Sequence, residues 1–263
     1  MDAKKSYLQQ ALLPEDKLVD YSKYRFSISE LILSILLGGI LAWAIGYFFY
    51  DSLLVSVVML AGFPFFLKYM RGVYGEKRRD ELKLQFRDAV SAVSANQKAG
   101  YSIENAFREA YNDCRLLYGS KSMICRELNH IRKGLDNNLI LEQMILSLGE
   151  RSGIDDIYQF GEVFAIAKRS GGNITEMIDM TASVIDQKID VEQEIAVMVS
   201  SRKMEANLMS CVPFFMIFYM SVTSQGFFDC LYHNIVGVAI MSVCLVVYIA
   251  AYLISRRLVN IRI

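Results

Sequence analysis

The sequence predicts an all-α, polytopic membrane protein: four transmembrane helices, with a cytosolic six-helix bundle between spans two and three. Three observations predict it. The chain of 263 residues is 54% hydrophobic with a mean hydropathy of +0.29, and the apolar residues are gathered into blocks. Between the blocks, residues 76–205 mix charges with apolar positions at 3–4 spacing and show no strand-like alternation. Finally, Lys and Arg fall on only one side of the apolar blocks.

Residues 1–27 form a polar arm with scattered apolar positions, broken at Pro14. The arm either lies on the membrane surface or is a partly ordered tail. It has no apolar core of the signal-peptide kind, so cleavage is not expected.

Residues 28–70 are nearly all apolar. As one helix they would extend about twice the ~30 Å hydrocarbon thickness, so a turn is required. Asp51-Ser52 is the place for it, which gives spans at Ile28–Tyr50 and Leu53–Leu67. Gly38-Gly39 offers close helix contact in mid-span. Trp43 and Tyr47–Tyr50 lean toward the turn as an aromatic belt, and Pro64 is placed to kink the second span. Gly72 and Gly75 are expected to loosen the exit.

Six amphipathic segments follow. Leu82, Phe86, Ala89, Val90 and Val93 mark the first, which ends at Ala99-Gly100. Ser102 caps the second, with Ile103, Ala106, Phe107, Ala110 and Cys114 on one face. The third starts at Ser120 or Ser122 and is interrupted at Gly134, and the fourth ends at Gly149. The fifth carries Ile157, Phe160, Phe164 and Ala167 and ends at Ser170-Gly171-Gly172.

The sixth organises the rest. Between Gly172 and Gly226 there is no glycine, and the only proline is Pro213. Asn173 is placed to cap it, with Glu176 reaching back to the cap amide. Ile178, Ala182, Ile185, Ile189, Ala196 and Val199 form its apolar stripe. From Leu208 to Val222 it is apolar all round, as a helix in lipid is. A helix from Ile174 to Thr223 would be roughly 75 Å long, more than twice what a bilayer core needs. Residues 206–254 thus hold spans three and four, and 255–263 form a short tail.

Lys4, Lys5, Lys17, Lys23 and Arg25 precede span one; Lys68, Arg71, Arg202 and Lys203 flank the bundle; Arg256, Arg257 and Arg262 follow span four. The two remaining connections hold neither Lys nor Arg. Both termini and the bundle are therefore expected on the cytoplasmic side of the membrane.

Little in the chain points to chemistry, and no cofactor or metal is expected. Gly119-Ser-Lys-Ser122 lacks the upstream glycine and the strand of a phosphate loop. Gly171-Gly172 before a helix start could hold an anion, but a left-handed cap with Asn173 on the free amides accounts for it better. His130 and His233 fall on opposite sides of the membrane. Asp155-Asp156 suits the first turn of a helix rather than an acid/base pair. The five cysteines have no disulfide or zinc spacing. A net charge of +0 gives no nucleic-acid footprint. Glu205 and Asn207, where the sixth helix enters lipid, admit two readings: a contact to a neighbouring protomer or pilin, or an interfacial Glu paired with Arg202.

Several motifs together resemble the type II secretion F family, the inner-membrane platform proteins of type II secretion, type IV pilus and Tad-pilus machines. They are Ala99-Gly-Tyr-Ser-Ile-Glu-Asn-Ala-Phe107, Gly134, Gly149-Glu-Arg151, Ala167-Lys-Arg-Ser-Gly-Gly-Asn-Ile-Thr-Glu-Met177 and Ser201-Arg-Lys-Met-Glu-Ala-Asn207 with Pro213. The likeness covers Phe86 to about Pro213. Only one copy of the helical module is present, which looks like the Tad type, and the leading spans look TadB-like.

The resemblance implies a non-enzymatic platform that meets a hexameric secretion or pilus ATPase and engages pilin or pseudopilin subunits. A paralogous F-type platform protein and homo- or hetero-oligomers belong to the same picture. The partner-contact candidates carried over are Gly100, Ser102, Glu104, Gly149, Glu150, Arg169, Gly171, Gly172, Asn173, Glu176, Arg202, Glu205 and Pro213. The competing class is a transporter or permease-like subunit. Against it, repeated halves and broken mid-membrane helices are lacking.

Overall fold

The computed structural model describes residues 19–21, 28–50, 63–170, 173–223 and 235–259. Outside them lie the Asp51-Ser52 turn, most of the second apolar block, Gly171, Gly172, and the 225–234 connection with Cys230 and His233. Among the described residues there are eight helices and no strand: α1 (Ile28–Tyr50), α2 (Phe63–Lys98), α3 (Ile103–Tyr118), α4 (Met123–Asp136), α5 (Leu141–Ser152), α6 (Asp155–Ser170), α7 (Ile174–Thr223) and α8 (Ile235–Val259). By length and composition, two of these, Ile174–Thr223 and Val236–Leu258, can cross a bilayer. The chain divides into two compact units, with α2 and α7 contributing to both.

One unit is a helical bundle containing 72–190 and the described residues 19–21. Its core is built by the positions that the 3–4 spacing selects. Leu82, Phe86, Ala89, Val90 and Val93 of α2 are buried, as are Ile103, Ala106, Phe107, Ala110 and Cys114 of α3. Aromatic rings cross it: Phe86 meets Phe160 edge-on at 5.4 Å, Phe160 stacks on Phe164 at 6.0 Å, and Phe107 meets Phe164 at 6.1 Å. Such pairs add to the stabilisation that burial already gives.

Caps set several boundaries. Ser102 Oγ accepts from the Asn105 N–H and Ser122 Oγ from the Cys125 N–H, each at 3.4 Å. Ser122 is thus the start of α4, and the Gly119–Ser122 segment is a helix–helix turn.

Three expectations are corrected. α2 runs unbroken through Gly72 and Gly75, so the glycines do not open the helix. Pro64 is the second residue of α2, and the kink expected there falls on a span whose residues 53–62 lie outside the described residues. Gly134 and Gly149 lie inside α4 and α5 and do not end them; α5 ends at Gly153 in the left-handed region, φ 63°. The glycines serve close packing instead. A Cβ on Gly134 would collide with Met144 Sδ, and one on Gly149 would lie 2.7 Å from Tyr158 Cα. Finally, the buried stripe of α7 comprises Ile178, Ala182, Ile185 and Ile189 and stops there; Ala196 is exposed.

The other unit contains α1, the start of α2, the rest of α7, and α8. On α1 the buried residues Ser34, Gly38, Ala42 and Gly46 recur at every fourth position, and α1 touches α8, where Gly237, Met241 and Leu245 are buried. Small residues in that register let two helices approach. Of the glycine pair only Gly38 takes part; space beside Gly39 is open. α7 and α8 meet through Phe214 and Tyr248, edge-on at 5.4 Å. The Tyr248 hydroxyl donates to the Ser210 carbonyl at 2.7 Å. That carbonyl is the neighbour of Met209's, which Pro213 deprives of its helical donor.

Candidate functional site

Gly100, Ser102, Glu104, Arg169, Asn173 and Glu176 come together at one end of the bundle. α2 stops there and Gly100 turns the chain with φ 94°, a region that strains any other residue. Its N–H donates to the Gln97 carbonyl at 2.9 Å. Glu104, in the first turn of α3, accepts from Lys168 Nζ at 3.2 Å, and Glu142, in the first turn of α5, accepts from the same ammonium at 3.3 Å. Acids at two helix starts and a base at one helix end agree with the helix dipoles, so local electrostatics and bundle assembly favour the same geometry. Arg169, beside Lys168, is exposed.

At the start of α7, Asn173 Oδ1 accepts from the Glu176 N–H at 3.2 Å, as a cap should. The return bond differs from expectation: Glu176 Oε2 accepts from the Asn173 side-chain amide at 3.2 Å, not from the backbone. Lys98 and Ser94 of α2 fasten this start by donating to Asp179 at 2.6 and 2.9 Å. These two bonds, Lys98's first, hold the Asp179 carboxyl below its usual range.

Gly149 and Glu150 stand elsewhere, on the last turns of α5. Glu150 is exposed, while Gly149 is buried against Tyr158. The next residue, Arg151, forks onto Glu127 of α4, at 2.7 Å to Oε2 and 3.2 Å to Oε1. Tyr21 completes this group. Its hydroxyl donates to Glu127 Oε1 at 3.0 Å, its N–H donates to the Arg151 carbonyl at 3.0 Å, and Arg78 lies 5.0 Å from the centre of its ring. Burial, then the Glu127 charge, push the phenol up.

Arg202 and Glu205 lie on the exposed length of α7 and pair with each other at 3.3 Å. That satisfies the pairing alternative and is worth little energetically at such exposure. Pro213 is half-buried.

Asp156 has more to do than occupy the first turn of α6. It is bound by Lys83 of α2 at 3.0 Å and Lys188 of α7 at 2.5 Å. Burial raises its pKa, but the bonds from Lys188 and Lys83 outweigh that and hold the carboxyl below its usual range.

Lys168, Glu142, Glu127, Arg151 and Tyr21 are the connecting residues that the motifs alone did not single out. Lys168 and Arg151 stand inside the motifs, and Glu142 is an acid at a helix start, so a signal existed for these. For Tyr21 and Glu127, 106 positions apart, none did.

The described motif residues of the bundle stand mostly at its turns and caps, and its last helix continues into an apolar stretch. A family model, Type II secretion system (T2SS), protein F, matches residues 89–222. The chain belongs to the type II secretion system protein F family, the membrane platform proteins of type II secretion and type IV pilus-type machines. No curated protein and no solved structure matches it.

Proposed function

We propose that this protein is a non-enzymatic inner-membrane platform of a Tad-type pilus or related secretion machine, coupling a cytosolic secretion ATPase to pilin assembly or export. It crosses the membrane four times, with both termini and the bundle in the cytoplasm. It works in an oligomer, with copies of itself or a paralogous F-type protein. The family generally works with a secretion ATPase and pilin-like subunits. The end of the bundle that gathers Gly100, Glu104, Arg169 and Asn173 is the surface offered to the ATPase.

The observation that carries this reading is α7. It starts at a capped Asn173, supplies Ile178, Ile185 and Ile189 to the bundle core, and runs on without a break to Thr223. A helix with no glycine and one proline transmits tilt or rotation along its axis as long as packing holds both ends. The ATPase moves the bundle, and α7 passes that motion to the apolar helices that handle pilin.

Three glycines inserted around Val191–Val197 weaken the helix by roughly 1 kcal/mol each. The expected variant inserts, folds its bundle and binds the ATPase, yet does not support filament assembly. Filaments forming at normal rates would reduce α7 to an anchor, and ATP hydrolysis by the purified protein alone would overturn the platform reading.

A further inference from the structure

The outer faces of two helix pairs in the bundle carry opposite charge. α3 packs on α4, α4 on α5 and α5 on α6, while Phe107 of α3 meets Phe164 of α6 across the core. The outer face of α3–α4 and that of α5–α6 therefore look away from each other.

The α3–α4 face is cationic and held in place. Arg132 lies over the ring of Tyr111 at 4.4 Å and donates to Asn129 Oδ1 at 2.9 Å. Arg115 lies over the same ring at 5.8 Å, and Arg108 reaches Asp136 at 2.9 Å. Tyr111 is buried, so the ring is a fixed support. Among the described residues neither Arg115 nor Arg132 is paired with a carboxylate. A guanidinium stacked on a ring keeps N–H groups at its edge free, and has already given up torsional freedom that binding would otherwise cost.

The α5–α6 face is anionic. Glu150, Asp155 and Glu162 are exposed and flank Tyr158, and among the described residues none of the three carboxylates is paired with Lys or Arg. The exposed Arg169 stands in the last turn of α6, at the other end from Asp155. The two faces also agree in height. Arg115 is in the last turn of α3 and Asp155 in the first turn of α6, both at the end of the bundle away from Gly100; Arg108 and Glu162 lie farther toward Gly100. Copies inserted in one membrane share one orientation, so a side-by-side contact joins groups of equal height.

We propose that copies of this chain associate side by side through these faces, the Arg115–Arg132 face of one bundle against the Glu150, Asp155 and Glu162 face of the next. Guanidinium forks match carboxylates in shape as well as charge, whereas two like faces repel. The contact is heterologous: each copy uses one face and leaves the other open, so the assembly extends as a ring or a row. It gives a geometry to the oligomer of the proposed platform and rests on that reading for the shared orientation.

Energy transfer between two differently labelled batches of the full chain in phosphatidylcholine vesicles tests this. No ATPase or pilin is present, so a failure to associate is distinct from a failure to build filaments, which bears on the platform reading alone. Wild type is expected to exceed the chance level set by an unrelated membrane protein at the same density. Arg115→Glu with Arg132→Glu turns the first face anionic, and Glu150→Lys with Glu162→Lys turns the second cationic. Each double variant alone is expected to associate at least about 10-fold more weakly than wild type. An equimolar mixture of the two returns to within about threefold of wild type, because each offers what the other lacks and only folded faces can do so. Glu150 and Glu162 are exposed, so the second variant makes no demand on the core. Wild type at the chance level, undiminished association of either variant alone, or a mixture no better than its parts overturns the proposal.

Discussion

The Cα of Tyr158 occupies the space that a side chain on Gly149 would need, 2.7 Å from where its Cβ would be. The obstacle is backbone, not the end of a movable side chain, so α5 and α6 would have to separate. Gly149→Ala is expected to destabilise the bundle by about 1–3 kcal/mol, the usual cost of overpacking, even though alanine is the better helix former. Denaturant melts of purified wild type and variant measure it. A gain in stability would mean that the two helices part easily.

Asp156 joins α2, α6 and α7 through Lys83 and Lys188. Its folded-state pKa is depressed, so its contribution is present above the unfolded value and is lost as pH falls through the folded one. Asp156→Asn leaves two ammoniums without their carboxylate and is expected to cost about 2–4 kcal/mol near neutrality. The gap between wild type and variant should begin to close as pH falls below about 4, the ordinary carboxyl value, and close fully only below the depressed value of the folded state. Thermal melts across pH 2.5–7 show it (roughly the range that brackets a carboxyl); a gap that stays constant would assign the loss to packing.

Cys114 and Cys125 are buried free thiols, each 0% exposed. Burial, then the neighbouring Cys125, push the Cys114 thiol up to about 12. Since the thiolate is the reactive form, Cys114 should resist a maleimide or disulfide reagent in the native protein and react on unfolding. Mass spectrometry of pulse-labelled protein, with and without denaturant, gives the result. Rapid native labelling of Cys114 would mean that the α3–α4 interface opens readily.

The sequence disclosed most of what depends on periodicity. Leu82 to Val93, the α3 face and Ile178 to Ile189 are buried where their spacing puts them. Ser102, Ser122 and Asn173 cap where their side chains allow. Glycine was harder to interpret. At Gly134 and Gly149 it marks close approach, and at Gly100 and Gly153 a positive φ, and composition cannot tell one use from the other. Tertiary pairings were the least legible. Lys168 with Glu104 and Glu142 becomes visible only when α3, α5 and α6 are assembled, and Tyr21 shows no periodicity that links it to Glu127.

α7 also fixes an order of events during synthesis. A chain made from its amino end has produced α2 to α6 before Ile178, Ile185 and Ile189 leave the ribosome, and until then the core around Phe86, Phe160 and Phe164 has an open side. The turns that close it are followed, in the same helix, by the apolar residues from Leu208 onward. Closure of the bundle core and emergence of a stretch long and apolar enough to cross a bilayer are thus adjacent moments in the birth of one helix.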